Sequence, residues 1–158
     1  MSSLTCDSVG RNSNVLIVSG GVNAFPGEFP HMAALGYPDL NENISFKCGG
    51  SLISEFYVLT AAHCHSADRI NPTIVRLGDH NLKVKDSSLP EEDFPIESFK
   101  KHPSYNKYTT ENDIALIKLG KRVIFGDKIR PACLHQSNYV DETKATATGW
   151  GRQMNVYV

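Results

Sequence analysis

Apolar residues come along this chain in short runs separated by turn formers. HMAALGY, CGGSLIS, YVLTAAH, TIVRLG, IESFKKH, DIALIKL and ATATGWG follow one another with Gly, Pro, Asn or Asp between them. They recur about every 8 to 15 residues, and none sustains the roughly 3.6-residue period of an amphipathic helix. The pattern predicts an all-β chain, a barrel or sandwich, with a mostly antiparallel, closed or nearly closed sheet fitting best. In TIVRLG, Ile74 and Arg76 are expected on one face and Val75 and Leu77 on the other. DIALIKL is apolar at nearly every position, so burial on both faces is expected there. Residues 1–15, YPDLNENIS and the long acidic KVKDSSLPEEDFP read as connections. Beyond about Phe125 the pattern loosens into GDKIRPACLHQSNYVDETK, a bridge to a further unit that begins at ATATGWG.

Composition narrows the function classes. The chain has 158 residues, 41% of them hydrophobic, enough for one core. Lys and Arg number 16 against 17 Asp and Glu, so no long-range field draws in nucleic acid or an anionic membrane, and neither is expected as a partner. No apolar run approaches the roughly 18 residues of a membrane span, and MSSLTCDSVGRNSNV lacks the apolar middle of a signal peptide. Those two features alone place the chain in the cytosol. The cysteines argue the other way: Cys6, Cys48, Cys64 and Cys133 form an even set without a close CxxC pair, which suits two disulfides and an oxidising compartment. Spacing leaves all pairings open. Asn43 in NIS is a candidate glycosylation acceptor, although such triplets are common by chance, and NPT at Asn71 is spoiled by Pro72.

The stretch VLTAAHCHSAD sets His63 beside Cys64. Zinc is the first chemistry to weigh, since Cys48, His63, Cys64 and His65 are all suitable ligands. Adjacent side chains on a strand or its end point to opposite faces, which argues against convergence on a tetrahedral ion, and no metal is expected. For His31, His80, His102 and His135 the expectation is a core-filling role. Nucleophilic catalysis needs an imidazole that accepts a proton and a carboxylate that fixes its tautomer. Asp113, entering the otherwise apolar DIALIKL, is a candidate for the carboxylate, because an aspartate there is costly unless paired. It could equally be a strand-end turn residue.

Taken in order, FKCGGSLISEFYVLTAAHC, NDIALIKL, RPACL and TGWG resemble the chymotrypsin-like (trypsin family, S1) serine endopeptidases, over about Ile17 to Gly151. FPHMAALGY and the Leu16 before IVSGG look most like the clip-domain proteases of invertebrates. The resemblance implies a Greek-key barrel, the first of two, with a leader over residues 1–16, the first barrel over 17–125, and over 126–158 the inter-barrel connection plus the first strand of an incomplete second barrel. It implies that His63 is the general base and Asp113 its orienter. It further implies a Cys48–Cys64 disulfide, which leaves Cys6 for Cys133, and activation by cleavage before Ile17. Leu16 departs from the Arg or Lys expected at that cleavage site.

The family's nucleophilic serine sits in a Gly-Asp-Ser-Gly-Gly stretch well beyond TGWG, and the 158 residues contain none. Ser19 in VSGG mimics it but lacks the preceding Gly-Asp, and Ser51 is expected to hydrogen-bond locally inside the barrel. The expectation is therefore a fragment of a secreted serine endopeptidase zymogen, inactive without serine, oxyanion donors or specificity pocket. The alternative is a non-catalytic protease homologue that binds partners in an extracellular cascade. Protein substrates, an activating protease and serpin-type inhibitors are the partners the resemblance implies. No cofactor is expected. Asp86, Glu91, Glu92 and Asp93 offer oxygens of the kind calcium takes, but solvated acidic turns are far commoner.

Overall fold

The structure, a computed structural model, describes residues 18–19, 22–66, 70–83, 91–137, 145–151 and 153–154. Its strands are β1 (Val18–Ser19), β2 (Met32–Pro38), β3 (Ile44–Leu52), β4 (Tyr57–Thr60), β5 (Ile74–Leu77), β6 (Glu92–Lys101), β7 (Ala115–Leu119) and β8 (Gln153–Met154). One 3₁₀ turn, Ala62–Ser66, follows β4. Strands β2 to β7 close into an antiparallel barrel in the order β2-β3-β4-β7-β6-β5. The chain runs up and down through β2, β3 and β4, then crosses to place β5 beside β2. It returns through β6 to lay β7 against β4, a Greek-key path.

Alternation decides which residues fill the barrel. In β5, Val75 and Leu77 are buried while Ile74 and Arg76 are only partly covered. β7 alternates in the same way: Ala115, Ile117 and Leu119 are inside, whereas Ile114 and Leu116 are exposed. The two-sided burial expected of DIALIKL is therefore corrected, because nothing described covers the outer face of β7 at Leu116 and that side of the one-layer wall meets solvent. β2 is the strand covered on both faces, with Ala33, Ala34, Leu35, Gly36 and Tyr37 all buried. Its small residues make room for neighbours. A Cβ on Gly36 would lie 2.6 Å from both Ile44 Cγ2 and Ile74 Cγ1, and the β2–β3 register shifts between Leu35 and Gly36. Tyr37, Phe94, Leu35, Leu52, Leu77, Ile117 and Leu119 are the large side chains that pack the interior.

Two other expectations need correcting. The acidic connection is shorter than KVKDSSLPEEDFP, since Glu92 to Pro95 belong to β6, where Asp93 pairs with Arg76. ATATGWG forms no strand among the described residues; Ala145–Gly151 has no neighbouring described strand to share its backbone hydrogen bonds. It is pinned to the barrel by side chains instead, with Trp150 Nε1 donating to His80 O at 3.2 Å and Thr148 Oγ1 3.0 Å from Met32 Sδ. Farther on, β8 pairs in parallel with β1, Val18 opposite Gln153.

Candidate active site

The register between β4 and β7 builds the site. Thr60 lies opposite Ala115 in this antiparallel pair, so the residues just beyond Thr60 meet those just before Ala115. Thr60 also anchors sideways, its Oγ1 donating to Gly49 O at 2.7 Å. The chain then turns through Ala62–Ser66 and brings His63 against Asp113. One carboxylate oxygen, Oδ1, accepts the His63 backbone N–H at 2.8 Å, and the other, Oδ2, lies 2.7 Å from His63 Nδ1. A carboxylate can only accept, so Nδ1 carries a proton; in the neutral ring Nε2 is then the nitrogen with the lone pair. The His63 side chain is 58% exposed and that of Asp113 24%, which leaves the imidazole open and its orienting carboxylate shielded. Tyr105 stands beside Asp113; burial, and then the negative charge of Asp113, push its hydroxyl above the ordinary tyrosine range. On the approach to Asp113 the backbone is held in the left-handed region at Thr110 (φ 58°) and Asn112 (φ 56°), and Asn112 Nδ2 donates to Ser104 O at 3.1 Å.

The turn that bears His63 is fixed at its next residue. Cys64 is bonded to Cys48 of β3, with S–S 2.08 Å and Cα–Cα 6.0 Å. Its carbonyl accepts a 2.6 Å hydrogen bond from the hydroxyl of Tyr37, a fully buried side chain. The ligand atoms of Cys48, His63 and Cys64 all fall within 4.8 Å of one another. Adjacent side chains thus do converge here, because the segment is a 3₁₀ turn and not a strand. The two sulfurs are joined to each other, however, and offer no thiolate to a metal.

Sequence reasoning missed Tyr37, which read only as the last residue of an apolar run. The one signal available was that a tyrosine in a buried strand needs a partner for its hydroxyl. Tyr37→Phe is expected to cost about 1 to 3 kcal/mol in urea unfolding at neutral pH, since the buried Cys64 carbonyl loses its donor. Burial raises the Tyr37 hydroxyl from 10.0 to about 12. The folded state therefore holds this proton after the unfolded chain has lost it. The contribution is complete below the unfolded value of 10.0 and disappears as pH rises through about 12. The stability gap between wild type and Tyr37→Phe should accordingly narrow across that interval; a gap that stays constant on base titration contradicts this role.

A cleft of about 560 Å³ lies against the same disulfide, lined by Met32, Phe46, Cys48, Ser51, Leu82 and Trp150 among others. Ser51 thus faces this cleft and not the barrel interior. The remaining histidines depart from the core-filling expectation. His80, His102 and His135 are exposed. Only His31 is half-buried, with its ring edge-on to Phe29 and burial holding it below the ordinary histidine range. Exposed loops at strand ends explain the difference, since an imidazole there can reach water or a local backbone group, as His102 Nδ1 does in accepting from Ser104 N at 3.1 Å. His65 stacks edge-on against Phe99 at 5.0 Å; burial first, and then the Lys101 charge, lower its pKa.

Of the acidic cluster, Asp93 binds Arg76 through two oxygens at 2.7 and 2.9 Å, and Glu92 binds Lys121. Asp86 lies outside the described residues, as do Ile17 and Cys6. Cys133 is exposed and shares no disulfide with a described residue. Asn43 is exposed at the tip of the β2–β3 hairpin.

Comparison with known proteins follows this geometry. The family model described as Trypsin matches residues 18–157. Serine protease snk of Drosophila melanogaster is 41% identical over 143 residues, spanning 88% of this chain and 32% of that protein. Phenoloxidase-activating factor 3 of Holotrichia diomphalia is 40% identical over 149 residues, spanning 85% of this chain and 42% of its own length. Among solved structures, the Drosophila Grass clip serine protease of the Toll pathway superposes with a TM-score of 0.66 at 33% identity, covering 80% of this chain and 38% of that one. The chain thus spans well under half the length of these relatives. By its family match, its barrel and these likenesses to insect clip-domain serine proteases, the chain belongs to the trypsin family of chymotrypsin-like serine proteases.

Proposed function

We propose that this chain supplies the histidine and aspartate of a serine-type endopeptidase that acts on protein substrates outside the cell. The observation that carries the reading is the double hold of Asp113 on His63, through the backbone N–H and through Nδ1. In this arrangement His63 Nε2 takes the proton of a serine hydroxyl as that oxygen attacks the substrate carbonyl, then returns it to the departing amine. Asp113 keeps the tautomer and stabilises the imidazolium formed between the two transfers. Residues 1–158 contain no Gly-Asp-Ser-Gly-Gly stretch, so in this reading the nucleophile and oxyanion donors are supplied by sequence outside them. The disulfide supports an extracellular setting, with an activating protease and serpin-type inhibitors as the partners the family resemblance implies.

A second reading is a non-catalytic homologue that binds partners in an extracellular cascade. One experiment separates the two. The coding sequence is read through the codon for Val158, and the protein it encodes is assayed on a panel of peptide amides. The first reading expects an in-frame serine motif and hydrolysis that His63→Ala abolishes, while residues 1–158 alone hydrolyse at the rate of buffer. A mature message that stops at Val158, with a monodisperse folded product, overturns it in favour of the binding role.

A further inference from the structure

We infer that Asn43 is a site of N-linked glycosylation. Asn43-Ile44-Ser45 has the acceptor form, whereas in Asn71-Pro72-Thr73 the proline blocks it. The fold places the usable triplet where a transferring enzyme and a bulky product both have room. Asn43 closes the tip of the β2–β3 hairpin, and Asn43, Ile44 and Ser45 are all exposed. The tip is a formed turn: Asp39 N donates to Asn43 O at 2.8 Å, and Glu42 takes the left-handed conformation with φ 62°. Asp39 organises it from the other side, its Oδ1 accepting from Asn41 N at 2.7 Å and Asn43 N at 2.8 Å, and its Oδ2 from Asn43 Nδ2 at 3.2 Å.

That last contact makes the modification compatible with the folded turn. In the transfer, a bond forms between Asn43 Nδ2 and the anomeric carbon of a lipid-linked oligosaccharide. The bond from that carbon to the pyrophosphate oxygen breaks, the lipid pyrophosphate departs, and Nδ2 gives up one proton to a base of the transferring enzyme. A carboxamide nitrogen has two hydrogens, so the glycosylated amide keeps one, and one is all that Asp39 Oδ2 accepts. The hairpin therefore closes around the modified residue with its hydrogen bonds intact. At roughly 3.3 Å per strand residue, about 16 Å of β3 separates Asn43 from Cys48. The attachment point is thus set apart from the His63 turn, while Phe46 and Lys47 of the same strand line the cleft wall.

The proposal rests on the extracellular reading above, and the test is designed to be independent of it. The full chain is translated behind a cleavable signal peptide with microsomes, which imposes delivery to the lumen. One glycosidase-sensitive step in electrophoretic mobility is expected, lost in Asn43→Gln and in Ser45→Ala, with higher occupancy in Ser45→Thr. Pro72→Ala, which frees the second triplet, should add another step. Wild type without a step, in a reaction where Pro72→Ala shows one, overturns the site whatever the natural location. Intact mass of the secreted chain gives the second measurement: the oligosaccharide should be found on molecules whose Cys48–Cys64 bond is closed. A glycan confined to molecules with those cysteines reduced overturns the claim that the folded hairpin accommodates it.

Discussion

Asp113→Asn is expected to move the proton of His63 from Nδ1 to Nε2, and with it to remove catalysis. Asp113 uses both oxygens, one for the His63 backbone N–H at 2.8 Å and one for Nδ1 at 2.7 Å. An asparagine has one oxygen and one NH₂ group in the same places. The backbone N–H cannot surrender its hydrogen, so the carboxamide oxygen turns to it and the NH₂ faces Nδ1. Nδ1 must then accept, and the tautomer reverses. Nε2, the atom that would receive the serine proton, is left already protonated. Long-range proton–nitrogen correlation spectra of residues 1–158 report the tautomer directly, without any nucleophile. In the serine-bearing protein proposed above, the loss in kcat should match the value of about 10⁴ known for this substitution in proteases of this fold, with KM little changed. Retention of the Nδ1-protonated form in the variant, or a kcat within tenfold of wild type, would remove the basis for assigning Asp113 its role.

How far the sequence foretold this site differs from one residue to the next, for physical reasons. Strand alternation is a local property, so the inward places of Val75 and Leu77 were legible from TIVRLG alone. The burial of β2 on both faces was not, because Gly36 meets Ile44 and Ile74 only once β3 and β5 have paired around it. ATATGWG carries strand-like residues, yet a strand also needs a partner edge, and that is not encoded in the segment itself. His63 and Asp113 could be named as candidates because their residue types suit the chemistry. Their contact, between residues 50 apart in the chain, depends on the pairing of Thr60 with Ala115. The Tyr37 bond to the Cys64 carbonyl bridges 27 residues and involves a backbone atom, which no motif can record.

Removing the Cys48–Cys64 bond should lower stability without undoing the site. The cross-link spans a sequence separation of 16. In the chain-entropy model a loop of that size restricts the unfolded ensemble by about 3 kcal/mol, a large fraction of the roughly 5 to 15 kcal/mol that separates folded from unfolded states. Cys48→Ala/Cys64→Ala should show that loss in urea unfolding. If the bond acts mainly on the unfolded chain, the folded turn still has Tyr37 on the Cys64 carbonyl and Asp113 on the His63 backbone. The double variant should therefore keep the Nδ1-protonated tautomer. Adding Tyr37→Phe removes a second anchor of the same turn, and the effect on the tautomer should then exceed the sum of the separate changes, as expected for groups that share one element. A stability loss below about 1 kcal/mol would show that the loop-entropy argument fails for this bond. Loss of the tautomer in the double variant alone would show the disulfide to be an active part of the imidazole's positioning and not chiefly a constraint on the unfolded chain.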